Sequence, residues 1–213
     1  MLGAFTEQIE QRLLFDLVGD LAGRSVLDVG CGDGTLAFAA WRRGAQVTGV
    51  DADPRMLGTA RDKAHALGAS ATFFEARGER LPFPDQRFDV VLAVTVLCFV
   101  PDAVALLREM RRVLQPGGRL VIGELGKWSL WAVRRRIRGW LGSPLWRSAR
   151  FRTASELRAL LEQAGLKVQT VRGAIYYPPV GVLARLLAPM DAVIGGLTTF
   201  GAAFIAVHAT RGQ

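Results

Sequence analysis

The chain has few of the residue types that carry disulfide or metal chemistry. Among its 213 residues there are two cysteines, Cys31 and Cys98, and two histidines, His65 and His208. Two cysteines cannot build a disulfide framework, and these four residues do not have the spacing of metal ligands. We therefore expect no metal site, and we expect both histidines to have structural roles.

Targeting segments and long uninterrupted apolar runs are also lacking. The first ten residues contain neither the basic nor the apolar region of a signal peptide. The longest apolar stretch, 180–207, contains Arg185, Pro189 and Asp191, which makes it a poor membrane span. Half of the residues are apolar and 22% are charged, a balance that argues against disorder. We therefore predict a single domain over residues 1–213 in a cytoplasmic setting.

Acidic residues are missing from one segment that is rich in arginine and tryptophan. Residues 127–152, here called the lid segment, hold eight basic residues, no acidic residue and four of the five tryptophans. The rest of the chain is balanced, with 27 − 8 = 19 basic residues against 19 acidic ones. A helical spacing is shared by Leu130, Val133, Ile137, Trp140 and Leu141.

This spacing is compatible with three interpretations of the lid segment. The first is a helix that packs its apolar face on a ligand cleft and leaves its arginines in solvent. The second is an interfacial helix that makes peripheral contact with an anionic membrane, where tryptophans lie at the level of the headgroups. The third is a nucleic-acid-binding surface.

Strand-like and helix-like segments alternate along the chain. Strands are predicted at 25–29, 46–50, 71–74, 88–94, 119–123, 166–171 and 202–208, with helices at about 6–20, 35–43, 54–67, 102–114 and 155–164. The fourth strand is nearly all apolar, which is typical of a central parallel strand buried on both faces. The alternation predicts an α/β fold with a seven-stranded, mostly parallel sheet, helices on both faces and an antiparallel edge strand.

A glycine-rich turn joins the first strand to the first helix after it. Residues 28–34 read Asp-Val-Gly-Cys-Gly-Asp-Gly, with glycines at alternate positions. Their missing Cβ atoms let a ligand lie against bare backbone, and the N–H groups that open the next helix point towards it. A dinucleotide-binding fingerprint would place its third glycine at position 35, which is Thr35.

This turn resembles motif I of the class I S-adenosylmethionine (SAM) methyltransferases, in which an acidic residue stands two positions before the first glycine. Three further segments match that family in order. Asp51 ends the second strand, residues 81–89 resemble the "LPF…FD" segment, and residues 114–122 resemble the "L-x-PGG-x-L" turn. Together they cover residues 25–125, and the chain is similar to the type 11 and quinone-biosynthesis methyltransferases.

The resemblance implies a Rossmann-like fold that binds SAM and releases S-adenosylhomocysteine. The cofactor-binding residues that it implies are Asp28, Gly30, Cys31, Gly32, Gly34, Asp51, Ala52, Glu79 and Thr95. Asp51 would bind the ribose hydroxyls, since two adjacent O–H donors suit one carboxylate. Family members commonly carry an Asp near the adenine amine, where this chain has Arg77. Glu75, Glu79 or the backbone near Gly78 would take over that contact.

The resemblance assigns no catalytic residue, because the sulfonium already activates the methyl group and the protein mainly aligns the reactants. Glu124 follows the fifth strand and matches an acidic residue of the quinone-biosynthesis enzymes. It is either a catalytic base or a satisfied carboxylate at the end of a strand. Tyr176 and Tyr177 precede Pro178 and Pro179, and they either form a wall of the substrate pocket or pack in the core.

The sequence therefore predicts SAM-dependent methyl transfer to a small-molecule or lipid-like acceptor, with possible membrane association through 127–152. One alternative is a nucleic-acid methyltransferase. Enzymes that methylate base amines carry Asp/Asn-Pro-Pro-Tyr/Phe after the fourth strand, whereas residues 93–97 read Ala-Val-Thr-Val-Leu, which weighs against a nucleic-acid partner. The other alternative is a regulatory protein that binds SAM without catalysis.

Overall fold

The computed structural model describes residues 2–178, 190–191 and 193–212. Its helices are α1 (Leu2–Val18), α2 (Thr35–Trp41), α3 (Pro54–Leu67), α4 (Ala103–Val113), α5 (Leu130–Trp140), α6 (Pro144–Ser148) and α7 (Ala154–Gln163). Its strands are β1 (Ser25–Val29), β2 (Gln46–Asp51), β3 (Thr72–Glu75), β4 (Phe88–Val94), β5 (Leu114–Leu125), β6 (Leu166–Ala174) and β7 (Phe204–Arg211). Pro179, together with 180–189 and 192 of the long apolar stretch, lies outside the described residues.

The seven strands form one sheet in the order β3-β2-β1-β4-β5-β7-β6. Strands β1 to β5 pair in parallel, while β7 pairs antiparallel with both β5 and β6. The predicted fold class is confirmed. The antiparallel strand β7 lies one position inside the edge, and β6 forms the edge itself. Residues 204–207 of β7 are all buried, as expected of a strand covered on both faces.

Helices cover both faces of the sheet and enclose two apolar layers. On one face, α1, α2 and α3 pack over a cluster that includes Leu14, Phe38 and Leu57. On the other face, α4 and α7 pack over a cluster that includes Met110 and Leu161. Parallel strands need such crossovers, and the helices on both faces leave the carboxyl ends of β1 to β4 as the place where loops converge.

The lid segment forms α5 and α6, but α5 turns its apolar stripe away from the protein. The first of the three interpretations, in which this stripe packs on a cleft, does not hold, while the other two leave it exposed. Its five residues are exposed, from 44% for Ile137 to 83% for Trp140. The inward side instead carries Ala132 and Gly139, which are buried, and Arg135, which is half-buried.

Close backbone contact explains this orientation of α5. A Cβ added at Gly139 would lie 3.0 Å from the carbonyl carbon of Trp146, so only glycine fits where α5 meets α6. Ala132 packs in a small cluster with Cys98, Leu125 and Phe151. Within the described residues, no helix is long and apolar enough to cross a membrane.

Candidate active site

A cleft of about 300 Å³ opens at the carboxyl ends of the first four strands. It lies where the strand order reverses between β1 and β4, the position at which open α/β sheets bind ligands. Its lining comes from four loops, with Val29, Gly30, Asp51, Ala52, Ala76, Arg77, Gly78, Glu79, Thr95, Val96, Phe99, Val100 and Pro101. Because each loop directly follows a strand, the sheet fixes their relative positions.

The glycine-rich turn forms the floor of the cleft. The N–H groups of Gly30 and Cys31 both donate to the carbonyl of Val50, at 2.8 and 2.9 Å, and tie the turn to β2. Gly30 has a φ of +70°, and a Cβ there would lie 2.5 Å from the Val96 side chain. Only glycine therefore keeps this turn and the loop after β4 at their observed separation.

Asp51 is held in place by two backbone donors. Its Oδ2 accepts from the N–H of Gly32 at 2.8 Å, and its Oδ1 accepts from the N–H of Asp53 at 2.9 Å. A carboxylate oxygen has further lone pairs after one hydrogen bond, so Asp51 can still accept from a ligand in the cleft. This arrangement presents an oriented acceptor at the end of β2.

Asp28 places a second carboxyl group beneath the turn. Its side chain is 2% exposed, and Oδ2 has no hydrogen-bond partner among the described residues. Burial, and then the charge of Asp51, raises the pKa of Asp28 to about 7. A cation bound above the turn would oppose this effect, because an opposite charge favours the carboxylate form.

The loop after β3 forms one wall of the cleft. Arg77, Gly78 and Glu79 all line it, and the Arg77 Nε lies 3.8 Å from the Glu79 Oε2. A Cβ at Gly78 would lie 2.5 Å from Leu106, so this loop lies tightly against α4. The structure thus places Arg77 in the cleft, at the position where the resemblance leads to an acidic residue.

The loop after β4 forms the opposite wall and is strained at its start. Thr95 has a φ of +58°, a region that β-branched residues rarely adopt. Its N–H donates to the carbonyl of Gly123 at 2.7 Å, which continues the β4–β5 ladder past the end of the strand. The strain persists because neighbouring contacts determine the conformation of this loop.

Glu124 is one of these contacts and lies under the loop instead of in the cleft. It is fully buried, and its Oε1 accepts from the N–H groups of Val96 and Leu97 at 3.1 and 2.8 Å. Burial raises the pKa of Glu124 to about 7, while Arg152 opposes the shift. Glu124 does not line the cleft described above, so its position matches a carboxylate that supports the loop.

The predicted cofactor residues divide into two groups in space. Gly30, Asp51, Ala52, Glu79 and Thr95 line the cleft. The remaining four build the turn below it: Asp28, Cys31, Gly32 and Gly34. Burial raises the pKa of the Cys31 thiol, which excludes it as a thiolate nucleophile at neutral pH. Gly34 has a φ of +80° and stands at the start of α2.

The two tyrosine candidates do not line this cleft. The Tyr176 hydroxyl donates to the carbonyl of Thr198, so it already has a hydrogen-bond partner within the protein. Tyr177 is 1% exposed, and its hydroxyl has no hydrogen-bond partner among the described residues. Trp131 of α5 donates from Nε1 to the Tyr177 carbonyl at 2.9 Å, which joins the lid segment to the chain after β6.

No sequence motif assigned part of the cleft wall to the cofactor. Ala76, Val96 and Val100 line the cleft, but they are ordinary apolar residues that have no motif of their own. Their position directly after β3 and β4 was the available signal, because such loops lie at the ligand edge of a parallel sheet. Their side chains supply shape, which a pattern of residue types does not encode.

The cleft fits the cofactor that the resemblance implies. SAM carries a cationic sulfonium, a cationic ammonium and a ribose diol, whereas the cleft region offers the carboxyl groups of Asp28, Asp51 and Glu79. The unpartnered Oδ2 of Asp28 and the open space beside Gly32, where a Cβ would meet nothing within 4 Å, are the features that a bound cation and a close ligand would use.

Comparisons with known proteins agree with this site. A family model described as a methyltransferase domain matches residues 27–122, which contain every loop of the cleft. A ubiquinone biosynthesis O-methyltransferase of Cereibacter sphaeroides is 33% identical over 189 residues, which cover 83% of this chain and 74% of that protein. An uncharacterized protein of Mycobacterium tuberculosis is 42% identical over 134 residues, which cover 63% of this chain and 45% of that protein.

The fold has a close counterpart among solved structures. A SAM-dependent methyltransferase of Thermotoga maritima, described as a possible histamine N-methyltransferase, matches with a TM-score of 0.76 at 22% identity. The match covers 99% of this chain and 91% of that one. At this identity the likeness concerns the fold. The first curated relatives are longer proteins, and the chain spans about 45% of their length.

Proposed function

The chain belongs to the class I SAM-dependent methyltransferases, and from that premise we propose that it transfers the methyl group of SAM to a small-molecule or lipid-like acceptor. The observation that carries the proposal is the cleft at the strand-order reversal, where carboxyl groups and bare glycine backbone meet. One fold can serve many functions, so cofactor binding and methyl transfer are tested separately below.

In this proposal the two carboxylates at the floor hold the polar parts of the cofactor. Asp51 accepts hydrogen bonds from the ribose hydroxyls, since its free lone pairs face the cleft lining. Gly30 and Gly32 bring backbone close to the methionine portion, and Asp28 balances its positive charge from below. The wall formed by Gly78 and Glu79 receives the adenine.

SAM supplies an activated methyl group, so the protein has to align the acceptor atom, the methyl carbon and the sulfur. Holding two reactants in line can contribute about 7–11 kcal/mol of the barrier reduction. The rigid loops at Gly30 and Thr95 serve this alignment, because each is fixed by hydrogen bonds to a neighbouring strand.

The class of acceptor molecule is inferred from the names of similar proteins and from the exposed apolar stripe of α5. The Cereibacter sphaeroides relative is named for O-methylation in ubiquinone biosynthesis, which is chemistry on a lipid-like ring. Helix α5 packs through Ala132 against Cys98 and Leu125, and its exposed apolar stripe suits an acceptor that resides in a lipid layer. We therefore assign the acceptor to small or lipid-like molecules.

Calorimetric titration with SAM and with S-adenosylhomocysteine tests the cofactor, and transfer of a labelled methyl group tests the activity. We expect saturable binding of both and transfer to a short-chain quinol. Binding without transfer to any of a panel of quinols, phospholipids and amines would favour the non-catalytic alternative. Absence of binding to either compound would contradict the proposal.

The lid segment also supports peripheral contact with an anionic membrane. Leu145 of α6 is exposed, and so are the five residues of the apolar stripe. The exposed Arg134, Arg138 and Arg147 flank it, and the whole segment carries no acidic residue. Each basic residue near an anionic surface contributes roughly 1 kcal/mol, and a tryptophan lies favourably at the headgroup level.

Vesicle sedimentation tests this contact. We expect binding to vesicles of phosphatidylcholine and phosphatidylglycerol, and at least tenfold weaker binding for the double variant Trp140→Ser and Leu141→Ser. A matched control is Met56→Ser with Leu67→Ser, two exposed apolar side chains on α3. Undiminished binding of the Trp140/Leu141 variant to these vesicles would contradict the proposal of membrane contact. If duplex DNA competes with the vesicles for the protein, the result would instead support the nucleic-acid interpretation of the lid segment.

A further inference from the structure

A second set of exposed apolar side chains lies in the part of the chain that leads into β7. Residues 190–191 and 193–197 are helical, and 192–210 contain no Asp, Glu, Lys or Arg. Large apolar residues recur here three and four positions apart and are between 56% and 82% exposed: Met190, Val193, Leu197 and Phe200. A cluster of this kind on a protein surface marks a contact with another molecule or with a membrane. These four residues are here called the distal stripe.

The opposite side of this helical segment is fixed to the sheet. The carboxylate of Asp191 is buried and accepts from the N–H groups of Ile175 and Tyr176, at 2.5 and 2.9 Å. A Cβ at Gly195 would lie 2.1 Å from the carbonyl oxygen of Gly173, so only glycine permits this contact with β6. The segment therefore cannot rotate its distal stripe towards the core without breaking these contacts.

The distal stripe and the lid segment leave the sheet at the same edge. Phe204, the first residue of β7, pairs with Leu125 at the end of β5 and with Ala174 at the end of β6. Strand β5 is parallel to β4 and β1, so the loops of the cofactor cleft emerge at this edge as well. A surface that contacts both the stripe and the lid segment would therefore fix the orientation of the cleft edge.

Two adjacent tyrosines join the lid segment to the distal stripe. On one side, Trp131 of α5 donates from Nε1 to the Tyr177 carbonyl at 2.9 Å. On the other side, the Tyr176 hydroxyl donates to the carbonyl of Thr198, which lies between the last two residues of the stripe. The two exposed apolar surfaces are thus tied to neighbouring residues of one segment.

The charges beside the distal stripe indicate what kind of partner covers it. Arg158 of α7 lines a cavity of about 340 Å³ together with 195–199, and it lies 3.9 Å from the Glu162 carboxylate. Arg172 is exposed and precedes Gly173, the contact point of the helical segment on β6. An uncharged apolar surface bordered by arginines matches the acyl chains and the phosphates of an anionic lipid layer.

A second copy of the chain fits this surface less well than a lipid layer does. In a two-fold symmetric dimer both copies present the same surface to each other. The lid segment, which is joined to the distal stripe, holds eight basic residues and no acidic one. Such an interface would bring like charges together, whereas an anionic layer presents the opposite charge to the same residues.

We propose that the distal stripe is a second lipid-contact surface, and that the protein docks on an anionic membrane through this stripe and the lid segment together. The proposal rests on the membrane contact proposed for the lid segment and names a further surface for it. Leu197 and Phe200, the most exposed of the four, enter the boundary of the acyl chains. Arg158 and Arg172 stay at the level of the phosphates. Contact at two positions holds the cleft edge in one orientation towards the layer.

Vesicle sedimentation of a double variant tests the distal stripe. We expect Leu197→Ser with Phe200→Ser to bind vesicles of phosphatidylcholine and phosphatidylglycerol at least tenfold more weakly, because two large apolar side chains no longer leave water. Met56→Ser with Leu67→Ser, two exposed positions on α3, is the matched control and should bind like the unaltered protein.

Salt separates the apolar contact from the attraction of the arginines. About 0.5 M salt screens exposed charges but leaves apolar insertion in place. The binding that remains in high salt should therefore be lost in the Leu197/Phe200 variant. Equal binding of this variant and the unaltered protein, in low and in high salt, would overturn the proposal. The single variant Leu197→Ser gives the same test if the double variant does not fold.

The outcomes separate this proposal from the membrane contact of the lid segment. If the unaltered protein binds no vesicles, both fail. If Trp140→Ser with Leu141→Ser weakens binding and Leu197→Ser with Phe200→Ser does not, the distal stripe is refuted while the lid contact stands. Analytical ultracentrifugation tests the second copy. A dimer that the Leu197/Phe200 variant dissociates would overturn the proposal in favour of self-association.

Discussion

At the scale of single residues, Asp51 combines a structural and a ligand-facing position. Hydrogen bonds from Gly32 and Asp53 fix its carboxylate before any ligand binds. Such preorganisation lowers the entropy lost when a ribose docks. The strand β2 brings Asp51 to the cleft, and the glycine-rich turn supplies one of the two donors that orient it.

We expect Asp51→Ala to weaken SAM and S-adenosylhomocysteine binding about 10- to 100-fold, the loss of a charge-assisted hydrogen bond. Titration calorimetry measures this change directly. Asp53→Asn is the control, because Asn also caps α3 and position 53 does not line the cleft. Equal affinity of Asp51→Ala and the unaltered protein would refute the ribose assignment.

Glu124 shows how a buried residue can shape the cleft without entering it. Removing its carboxyl group in Glu124→Leu leaves the N–H groups of Val96 and Leu97 unpaired. Each unpaired buried donor costs about 1–3 kcal/mol, so urea unfolding should show a loss of at least about 2 kcal/mol. Glu124→Gln keeps an acceptor oxygen and should lose less. Equal losses for both variants would contradict a role as acceptor.

At the scale of elements, helix ends illustrate local determination. Thr153 and Glu156 form a reciprocal capping box at the start of α7, with the Glu156 N–H donating to the Thr153 hydroxyl at 3.1 Å. Such a motif depends on residues three positions apart, so it forms from sequence without help from the rest of the fold. The helix predicted at 155–164 begins one residue after the observed start of α7.

Thr153→Ala should lower the free energy of unfolding by about 1 kcal/mol, because it removes the acceptor for an N–H group of the first turn. Urea denaturation followed by circular dichroism measures the change. Ser155→Ala, an exposed position in the same turn, should change stability by less than about 0.5 kcal/mol. A loss at Ser155 as large as that at Thr153 would contradict the capping role.

The helix α5 behaves differently from α7. Its spacing of apolar residues correctly predicted a helix, but the sequence left open which side packs on the protein, and the structure leaves the apolar stripe exposed. The apolar periodicity identifies a face, and it does not say whether that face meets the protein core or another apolar phase. Ala132 and Gly139 decided the contact, because small residues permit close backbone approach.

At the scale of the whole molecule, buried carboxyl groups link stability to pH. Burial raises the pKa of Asp28 and of Glu124 to about 7 in the folded protein, while unfolded carboxyl groups titrate near 4. A raised folded-state pKa adds stability below pH 4, and this contribution is lost as the pH rises towards 7. Over that range the folded state binds more protons than the unfolded chain.

We therefore expect the unliganded protein to lose stability through these two groups between about pH 4 and 7, with little further change at pH 8. Each group contributes a slope of about 1.4 kcal/mol per pH unit where only the folded state holds the proton. In Asp28→Asn the side chain cannot ionise. The free energy of unfolding of this variant should therefore increase relative to that of the unaltered protein as the pH rises. Urea unfolding at pH 5, 6, 7 and 8 measures the difference. A constant difference would contradict the assignment for Asp28.

The sequence by itself determined the order of elements, the glycine-rich turn and the acidic end of β2. These features depend on local patterns: a strand of apolar residues, glycines at alternate positions, and a cap three residues from its partner. The glycine-rich turn also predicted that a ligand lies against bare backbone after β1. The position of β7 inside the edge needed the sheet itself, since pairing joins strands distant in the chain.

Only the tertiary structure decided which side of α5 faces solvent, and it alone brought Trp131 to the carbonyl of Tyr177. These residues are more than 40 positions apart along the chain and belong to no common motif. Their approach depends on how α5 packs against the rest of the chain, which is the outcome of many small contacts. Charge and burial at such a meeting point follow from packing, so a pattern of residue types does not reveal them.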